Sequence, residues 1–229
     1  MKIGIIAAME QELRLLVEKL ENKAEETVLG NTYYTGHLGN HDLVLVQSGV
    51  GKVMSAMSVA ILVDHFQVDA LINTGSAGAV AEGLDIGDVV VADRLAYHDV
   101  DLTAFGYAYG QMSMQPLYFE ADNTFVDVFQ RVLSQASINA KVGLIATGDS
   151  FIAGQDNIEA IKSHFPDVLA VEMEGAAIAQ AAQACGKPFI VIRAMSDTAA
   201  HDANITFDEF IIQAGRQSAQ LLITFLETL

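Results

Sequence analysis

The sequence contains no tryptophan, one cysteine, three prolines and few basic residues. The single cysteine, Cys185, excludes an internal disulfide and a CxxC metal or redox motif, and it is typical of a reducing compartment. Twelve Lys and Arg residues against 29 Asp and Glu residues give a formal net charge of -17. Because this charge repels polyphosphate backbones and anionic lipids, we expect no nucleic acid and no membrane as a partner. The single cysteine leads us to expect a cytoplasmic location.

Long apolar runs are also missing. The apolar residues 3–9 meet Glu10 and Glu12 too early for a signal peptide or a membrane span. Apolar residues nevertheless make up 52% of the 229 residues, which is enough to bury a core and too much for a disordered chain. Since no repeat, low-complexity tract or linker divides the sequence, we predict one domain over residues 1–229.

Apolar runs of strand type alternate with segments of helical period, and this alternation predicts an α/β fold in which helices cover a sheet. Strands are predicted at residues 3–8, 33–38, 43–47, 70–73, 88–91, 141–147, 168–172 and 189–194, with 33–38 and 43–47 forming a hairpin around the turn Gly39-Asn40. Helices are predicted at residues 13–20, 52–66, 125–133, 158–161 and 174–185, and from about residue 208 onward. The last helix is expected to bury Ile211, Ala214, Ser218, Leu221, Leu222 and Phe225. Residues 97–118 show neither period but contain aromatic and methionine side chains, which indicates a long functional or interface loop.

Four predicted strand ends carry polar or glycine-rich segments, at residues 9–12, 74–78, 172–175 and 195–197. Ligands of α/β sheets bind outside the carboxyl ends of the strands, so these segments are the candidate site. The small residues at 74–78 would let a flat ring or a sugar approach the backbone closely. A turn that requires positive φ explains the same glycines and stays open as an alternative.

The acids at these strand ends have both a chemical and a structural interpretation. Glu172 and Glu174 are expected on one face of an extended segment with Met173 pointing away, so that Glu174 can accept hydrogen bonds from two vicinal hydroxyls. Glu10 and Glu12 are unfavourable neighbours for a phosphate dianion, which favours water as a nucleophile. The structural alternative is a first-turn helix acid stabilised by the helix dipole, and it accounts for Glu12 or Glu174 alone.

Ser196 and Asp197 close a strongly apolar strand. Desolvation and nearby acids are expected to raise the pKa of Asp197 and to keep a proton available for general acid catalysis. An ordinary turn or helix N-cap is the structural alternative. The histidines show no metal-binding spacing, so we expect surface or local hydrogen-bonding roles for them and no metal site. They are His37, His41, His65, His98, His164 and His201.

Six motifs, in order along the chain, closely resemble those of the methylthioadenosine/S-adenosylhomocysteine nucleosidase family. They are GIIAAMEQE at residues 4–12, SGVGK at 48–52, NTGSAG at 73–78, GDSFI at 148–152, VEME at 171–174 and RAMSD at 193–197. The resemblance implies a nucleoside-phosphorylase-like three-layer α/β/α sandwich with a mixed central sheet, and a homodimer. It also implies hydrolytic release of adenine from methylthioadenosine, S-adenosylhomocysteine and 5'-deoxyadenosine, without a metal or an organic cofactor.

The resemblance also assigns roles to residues. Glu12 matches the base that activates water, Asp197 the acid that protonates adenine N7, and Glu174 the ligand of the ribose hydroxyls. The expected binding residues are Met173 and Ser76 at the sugar, Phe151 and the backbone of Ile152 at the base, Gly78 in the same wall, Ser196 beside the acid, and Arg193 and Glu172 as supporting polar groups. The 5'-thio group is expected against Met9, Val50 and Phe207, together with Leu102 and Phe105 of the partner subunit.

Three other functions remain as alternatives. A phosphate-dependent purine nucleoside phosphorylase and a futalosine-type hydrolase share the expected fold, and a nucleoside-binding sensor would bind without turnover. Residues 111–116 depart from the pattern of the family, so the sequence leaves the order of substrate preference open. Release of adenine in the absence of phosphate distinguishes the hydrolase from the phosphorylase.

Overall fold

A computed structural model describes residues 1–136, 138–198 and 203–229, without the side chains of residues 203–206. The described residues form ten strands and six α-helices. The strands are β1 (Lys2–Ala7), β2 (Glu21–Val28), β3 (Asn31–Leu38), β4 (His41–Gln47), β5 (Ala70–Ala79), β6 (Val89–Tyr97), β7 (Phe119–Glu120), β8 (Ala140–Thr147), β9 (Val168–Glu172) and β10 (Phe189–Asp197). The helices are α1 (Glu10–Lys19), α2 (Lys52–Asp64), α3 (Asn123–Gln135), α4 (Gln155–His164), α5 (Gly175–Ala184) and α6 (Ala203–Thr228).

All ten strands belong to one mixed sheet with the order β10-β6-β8-β9-β5-β1-β4-β3-β2, and β7 pairs with β6. β5 is parallel to both β1 and β10 and antiparallel to β9. Because β5 pairs with β10 as well as β9, the strands β5, β10, β6, β8 and β9 close into a ring. This mixed sheet confirms the predicted fold class, and the strands of the ring carry most of the chemically interesting strand ends.

Helices cover the sheet in two groups. α6 packs against α1 and α3, whereas α2 packs against α5. The predicted inner face of α6 is confirmed, since its six predicted core residues are all buried. They are Ile211, Ala214, Ser218, Leu221, Leu222 and Phe225. No helix within residues 1–136, 138–198 and 203–229 is long and apolar enough to cross a membrane.

Several element boundaries differ from the sequence prediction. β2 has almost entirely exposed side chains and therefore no hydrophobic alternation, yet it forms by antiparallel pairing with β3. β5 does not stop at Asn73 but continues to Ala79, because it is buried between strands on both sides. The alternative of a turn with positive φ at residues 74–78 is therefore excluded. Residues 98–118 are irregular apart from a short 3₁₀ turn at Thr103–Phe105, as the sequence indicated for 97–118 except at Tyr97, which ends β6.

Gly75 has a packing reason rather than a conformational one. It lies within β5 and is not among the glycines with positive φ. A Cβ atom at this position would lie 2.8 Å from Glu12 Oε1 and would overlap the guanidinium of Arg193. The bare backbone of β5 thus lets two charged side chains approach each other from neighbouring elements.

Candidate active site

A cavity lies at the carboxyl ends of β1, β9 and β10, against the distal half of β5. Its lining consists of Ala8, Met9, Glu12, Val50, Ser76, Ala77, Gly78, Phe151, Val171, Glu172, Met173, Glu174, Arg193, Ser196, Asp197 and Phe207. A small adjoining cavity is lined in part by Ile152, Phe151 and Asp197. Fourteen of the sixteen residues predicted for the site thus lie around one connected region. Leu102 and Phe105 lie elsewhere, in the irregular segment before β7.

Glu12 is fixed by hydrogen bonds from two elements. It lies in the first turn of α1 and is almost completely buried. Its Oε2 accepts the backbone N–H groups of Ala8 and Met9, each at 3.1 Å. Its Oε1 accepts both the N–H and the hydroxyl of Ser76, each at 2.9 Å. The helix-terminal and the functional interpretation of Glu12 therefore describe the same side chain, which is oriented by its helix end and also lines the cavity.

A buried ion-pair network around Arg193 lies beside Glu12 in the lining of the cavity. The Arg193 guanidinium, 1% exposed, contacts the Glu172 carboxylate and lies 3.3 Å from Glu174 Oε2. The same nitrogen donates to Asn73 Oδ1 at 2.6 Å. Glu172 also accepts the N–H groups of Glu174 and Gly175 at 3.0 and 2.7 Å, at the start of α5. The single cation is thereby committed to two carboxylates and a side-chain amide.

The surroundings of the Glu174 carboxyl group disfavour its ionised form. Burial, with a smaller effect of the neighbouring Glu172, raises its pKa to about 7 against the opposing effect of Arg193. Its Oε1 accepts the N–H of Gly51 at 2.9 Å. A carboxyl group with few donors in a cavity is suited to accept hydrogen bonds from ligand hydroxyls.

Asp197 reaches the cavity from the last residue of β10. The register of β10 against β5 shifts between Met195 and Asp197, and Asp197 pairs with Gly78. An irregularity of this kind re-aims a side chain at the end of a strand. The side chain is 1% exposed, and its Oδ2 accepts the hydroxyl of Ser196 at 3.0 Å. The burial that was expected at this position is present.

Comparisons with known proteins agree with this geometry. A model of the phosphorylase superfamily matches residues 2–227. The 5'-methylthioadenosine/S-adenosylhomocysteine nucleosidase of Listeria welshimeri is 46% identical over the full length of both chains. The S-adenosylhomocysteine nucleosidase of Streptococcus pyogenes, solved with 5-methylthiotubericidin, is 71% identical with a TM-score of 0.99, covering 100% of this chain and 97% of that one. The Streptococcus pneumoniae enzyme with the transition-state inhibitor MT-ImmA is 72% identical with a TM-score of 0.97, covering 100% and 99%.

The chain belongs to the methylthioadenosine/S-adenosylhomocysteine nucleosidase family. It is therefore an enzyme that hydrolyses N-glycosidic bonds. The resemblance seen in the six sequence motifs is confirmed by similarity over the whole chain.

Two expectations about side chains in this nucleosidase fold are wrong. Met173 does not point away from Glu172 and Glu174 but lines the same cavity, because β9 ends at Glu172 and the chain bends at residues 173–174. His98 is not a surface residue. It is 6% exposed, burial lowers its pKa, and its ring fills the space where a Cβ atom at Gly148 would lie.

Three of the other histidines fit local roles, whereas the Nδ1 of the partly buried His41 is buried without a hydrogen-bond partner among the described residues. His37 pairs with Asp42 and His65 with Glu26, both at half-exposed positions. His164 stacks on Tyr109 with ring centroids 3.7 Å apart, and His201 lies outside the described residues. Within residues 1–136, 138–198 and 203–229, no group of three His, Cys, Asp or Glu side chains is arranged to hold a metal ion.

Sequence reasoning missed two polar residues of the nucleosidase site. Asn73 accepts from Arg193 and donates its Nδ2 to the carbonyl of Ile6 at 3.0 Å. Thr147 donates its hydroxyl to Glu172 and accepts the N–H of Ala176 at 2.8 Å. Both are fully buried polar residues at or near the ends of apolar runs. That position was the available signal, since a buried polar side chain requires a partner.

Proposed function

We propose that this chain hydrolyses the N-glycosidic bond of 5'-methylthioadenosine and S-adenosylhomocysteine, and of 5'-deoxyadenosine, releasing adenine and the free sugar. The observation that carries the proposal is the meeting of three carboxyl groups from distant sequence positions, Glu12, Glu174 and Asp197, around one cavity. The relatives that share this chain's full length are named for the first two substrates. Such a reaction serves methionine salvage and removes a by-product of methyl transfer.

The reaction needs one proton donor and one proton acceptor on opposite sides of the nucleoside. Asp197 donates a proton to adenine N7, so that adenine leaves as a neutral base when the C1'–N9 bond breaks. Water forms the new bond to C1' and passes a proton to Glu12. The sum is nucleoside plus water giving adenine plus sugar, and each of the two proton transfers contributes about 10²–10⁴-fold.

Substrate binding divides along the cavity. Glu174 accepts hydrogen bonds from the 2'- and 3'-hydroxyls, with Met173 and Ser76 beside the sugar. Phe151 stacks on adenine, the backbone of Ile152 reads its edge, and Gly78 and Ser196 complete the base wall. Arg193 and Glu172 hold the Glu174 carboxylate in place. The distance of 3.3 Å between Arg193 Nη2 and Glu174 Oε2 supports this role. No metal and no organic cofactor takes part in these steps.

The 5' end of the substrate lies against Met9, Val50 and Phe207, all of which line the cavity. A second copy of the chain completes this end with Leu102 and Phe105 of the partner subunit. Exposed apolar side chains on α2 and in the irregular segment support a homodimer. Among them, Val53 is 69% exposed, Phe105 80% and Met114 88%. Large exposed apolar surfaces of this kind are typical of an interface. A cytoplasmic location stays a prediction from the single cysteine.

A phosphorylase mechanism fits the cavity poorly. Among the described residues, Arg193 is the one Lys or Arg that lines it, and its two terminal nitrogens are bound to Glu172, Glu174, Asn73 and the carbonyl of Ser76, whereas its Nε is buried without a partner. A phosphate dianion would therefore meet three glutamates without an available cation.

The deciding experiment is incubation of the purified protein with methylthioadenosine in phosphate-free buffer, with adenine and the reducing sugar measured by chromatography. We expect equal amounts of both products, at a rate that added phosphate does not increase. Release that depends on phosphate, with a sugar 1-phosphate as product, would establish the phosphorylase. Faster release of the base from futalosine than from methylthioadenosine would establish the futalosine-type hydrolase, and tight binding without products would establish a sensor.

A further inference from the structure

The N-terminus of α2 joins two parts of the site that are far apart in sequence. The N–H of Gly51 donates to Glu174 Oε1 at 2.9 Å, and the next N–H, of Lys52, donates to Asp149 Oδ1, also at 2.9 Å. α2 has no capping side chain of its own, since its N-cap is Gly51. Two carboxylates from elsewhere in the fold therefore occupy the N-terminal end of a 13-residue helix, where negative charge is stabilised.

The side chain of Lys52 adds a second connection. Its Nζ lies 2.7 Å from Asp99 Oδ2 and 3.6 Å from Asp149 Oδ2. Asp99 in turn accepts the backbone N–H of Asp149 at 2.9 Å. Asp149 is thus held at its backbone and at both carboxylate oxygens, although its side chain is half exposed. These contacts hold the half-exposed side chain of Asp149 in one position relative to α2.

Gly51 shows that this approach is close. Its φ is +98°, in the region that favours glycine, and a Cβ atom there would lie 3.1 Å from Asp149 Oδ1. The backbone of residues 50–52 is thereby pressed against the segment that begins at Gly148. Val50, on one side of Gly51, lines the cavity, as does Phe151, two residues beyond Asp149.

This inference rests on the function proposed above. We propose that Lys52 and Asp149 are positioning residues that hold the ribose ligand Glu174 and the base-binding segment of Phe151 and Ile152 at a fixed separation. The two halves of a nucleoside are joined by one bond, so a site that binds sugar and base at once needs its two walls in register. Small displacements of such walls weaken binding and the alignment of reacting atoms together. Neither residue touches the reacting atoms.

The test compares two helix-capping aspartates. Asp149→Ala removes the cap of α2. The matched control is Asp122→Ala, which removes the cap of α3, because the Asp122 carboxylate accepts the N–H of Phe125 at 3.1 Å. Both variants lose a comparable helix cap. For Asp149→Ala we expect a KM for methylthioadenosine raised about tenfold, with a smaller change in kcat. Asp122→Ala keeps the KM of the unaltered chain.

A second readout separates positioning from stability. In Asp149→Ala the preference for methylthioadenosine over its 2'-deoxy analogue is expected to fall several-fold, because Glu174 no longer meets the hydroxyl correctly. Lys52→Met should do the same, and the double variant should be no worse than the more affected single variant. Asp149→Asn, which retains a capping side chain, should recover most of the loss.

A calorimetric measurement of adenine binding needs no turnover. We expect the Kd for adenine to rise in Asp149→Ala and to stay unchanged in Asp122→Ala. Equal behaviour of the two variants in KM, in 2'-deoxy preference and in adenine affinity would overturn the positioning role. If the unaltered chain binds adenine but releases none from methylthioadenosine, the proposed function fails, and the adenine affinities still decide the role of Asp149. A chain that neither binds adenine nor releases it from methylthioadenosine overturns both.

Discussion

Two glutamates that line the cavity, Glu12 and Glu174, are held in different ways. Glu12 accepts four hydrogen bonds, three from backbone amides and one from a hydroxyl. Glu174 accepts one amide N–H and a longer bond from an arginine that is shared with Glu172. Backbone donors thus fix the Glu12 carboxylate. The Glu174 carboxyl group accepts fewer hydrogen bonds and interacts mainly with the charges around it.

The difference fits two kinds of work. A group that draws a proton from water needs one orientation, and backbone donors provide it because they cannot move independently of the fold. A group that binds two hydroxyls needs oxygens that are not already saturated. We therefore expect changes at Glu12 to affect kcat and changes around Glu174 to affect binding and stability.

The largest expected effect is on turnover. Glu12→Gln and Asp197→Asn should each lower kcat by at least about 10²-fold while the protein stays folded, because each removes a proton transfer. Glu10→Gln, in the same turn of α1 but exposed, is the matched control and should keep nearly full activity. Initial rates of adenine release measure all three. Near-normal activity in Glu12→Gln or Asp197→Asn would remove that residue from the mechanism.

The next effect concerns stability at the Glu174 side. Arg193→Met leaves two buried carboxylates without their cation and should lower the free energy of unfolding by about 3–5 kcal/mol. Arg131→Met, at an exposed position of α3, should change it by less than about 0.5 kcal/mol. Urea unfolding followed by circular dichroism measures both. A loss of similar size in the two variants would contradict the account of the buried network.

The smallest effect is a pH dependence. Burial raises the pKa of Glu174 to about 7 from 4.5, so the folded chain holds this proton more tightly than the unfolded chain. Between these values the group lowers the free energy of unfolding as pH rises. Glu174→Gln removes this dependence, so the variant should gain on the order of 2–3 kcal/mol relative to the unaltered chain between about pH 5 and about pH 8. If the free energies of unfolding of the variant and of the unaltered chain change with pH in parallel, folding does not shift the pKa of Glu174, and the prediction is wrong.

Much of the fold followed from the sequence because its strands and helices have clear periods. The inner face of α6 and the hairpin of β3 and β4 around Gly39 were predicted from local pattern alone. β2 was not, because a strand of exposed polar residues carries no hydrophobic alternation and forms only by pairing with its neighbour. The continuation of β5 through its glycines and the closure of the sheet on β10 also depend on contacts between distant residues.

The site could be predicted as a set of residues but not as a network. Strand-end position and the family motifs identified Glu12, Glu174 and Asp197, which do line one cavity. The contacts that orient Glu12 and Glu174 come largely from backbone N–H groups, which no sequence pattern identifies. Asn73 and Thr147 contact the supporting residues Arg193 and Glu172, and these pairings join distant positions of the chain. The bend after Glu172 that turns Met173 into the cavity is likewise a property of the folded chain.

The central claim is that Glu12 and Asp197 act on one nucleoside from opposite sides. A crystal structure of the Asp197→Asn variant with intact methylthioadenosine tests it most directly. The account predicts adenine N7 within hydrogen-bonding distance of residue 197, the ribose hydroxyls on Glu174, and a water molecule between C1' and Glu12. A nucleoside bound with its base towards Glu12, or outside this cavity, would contradict the account.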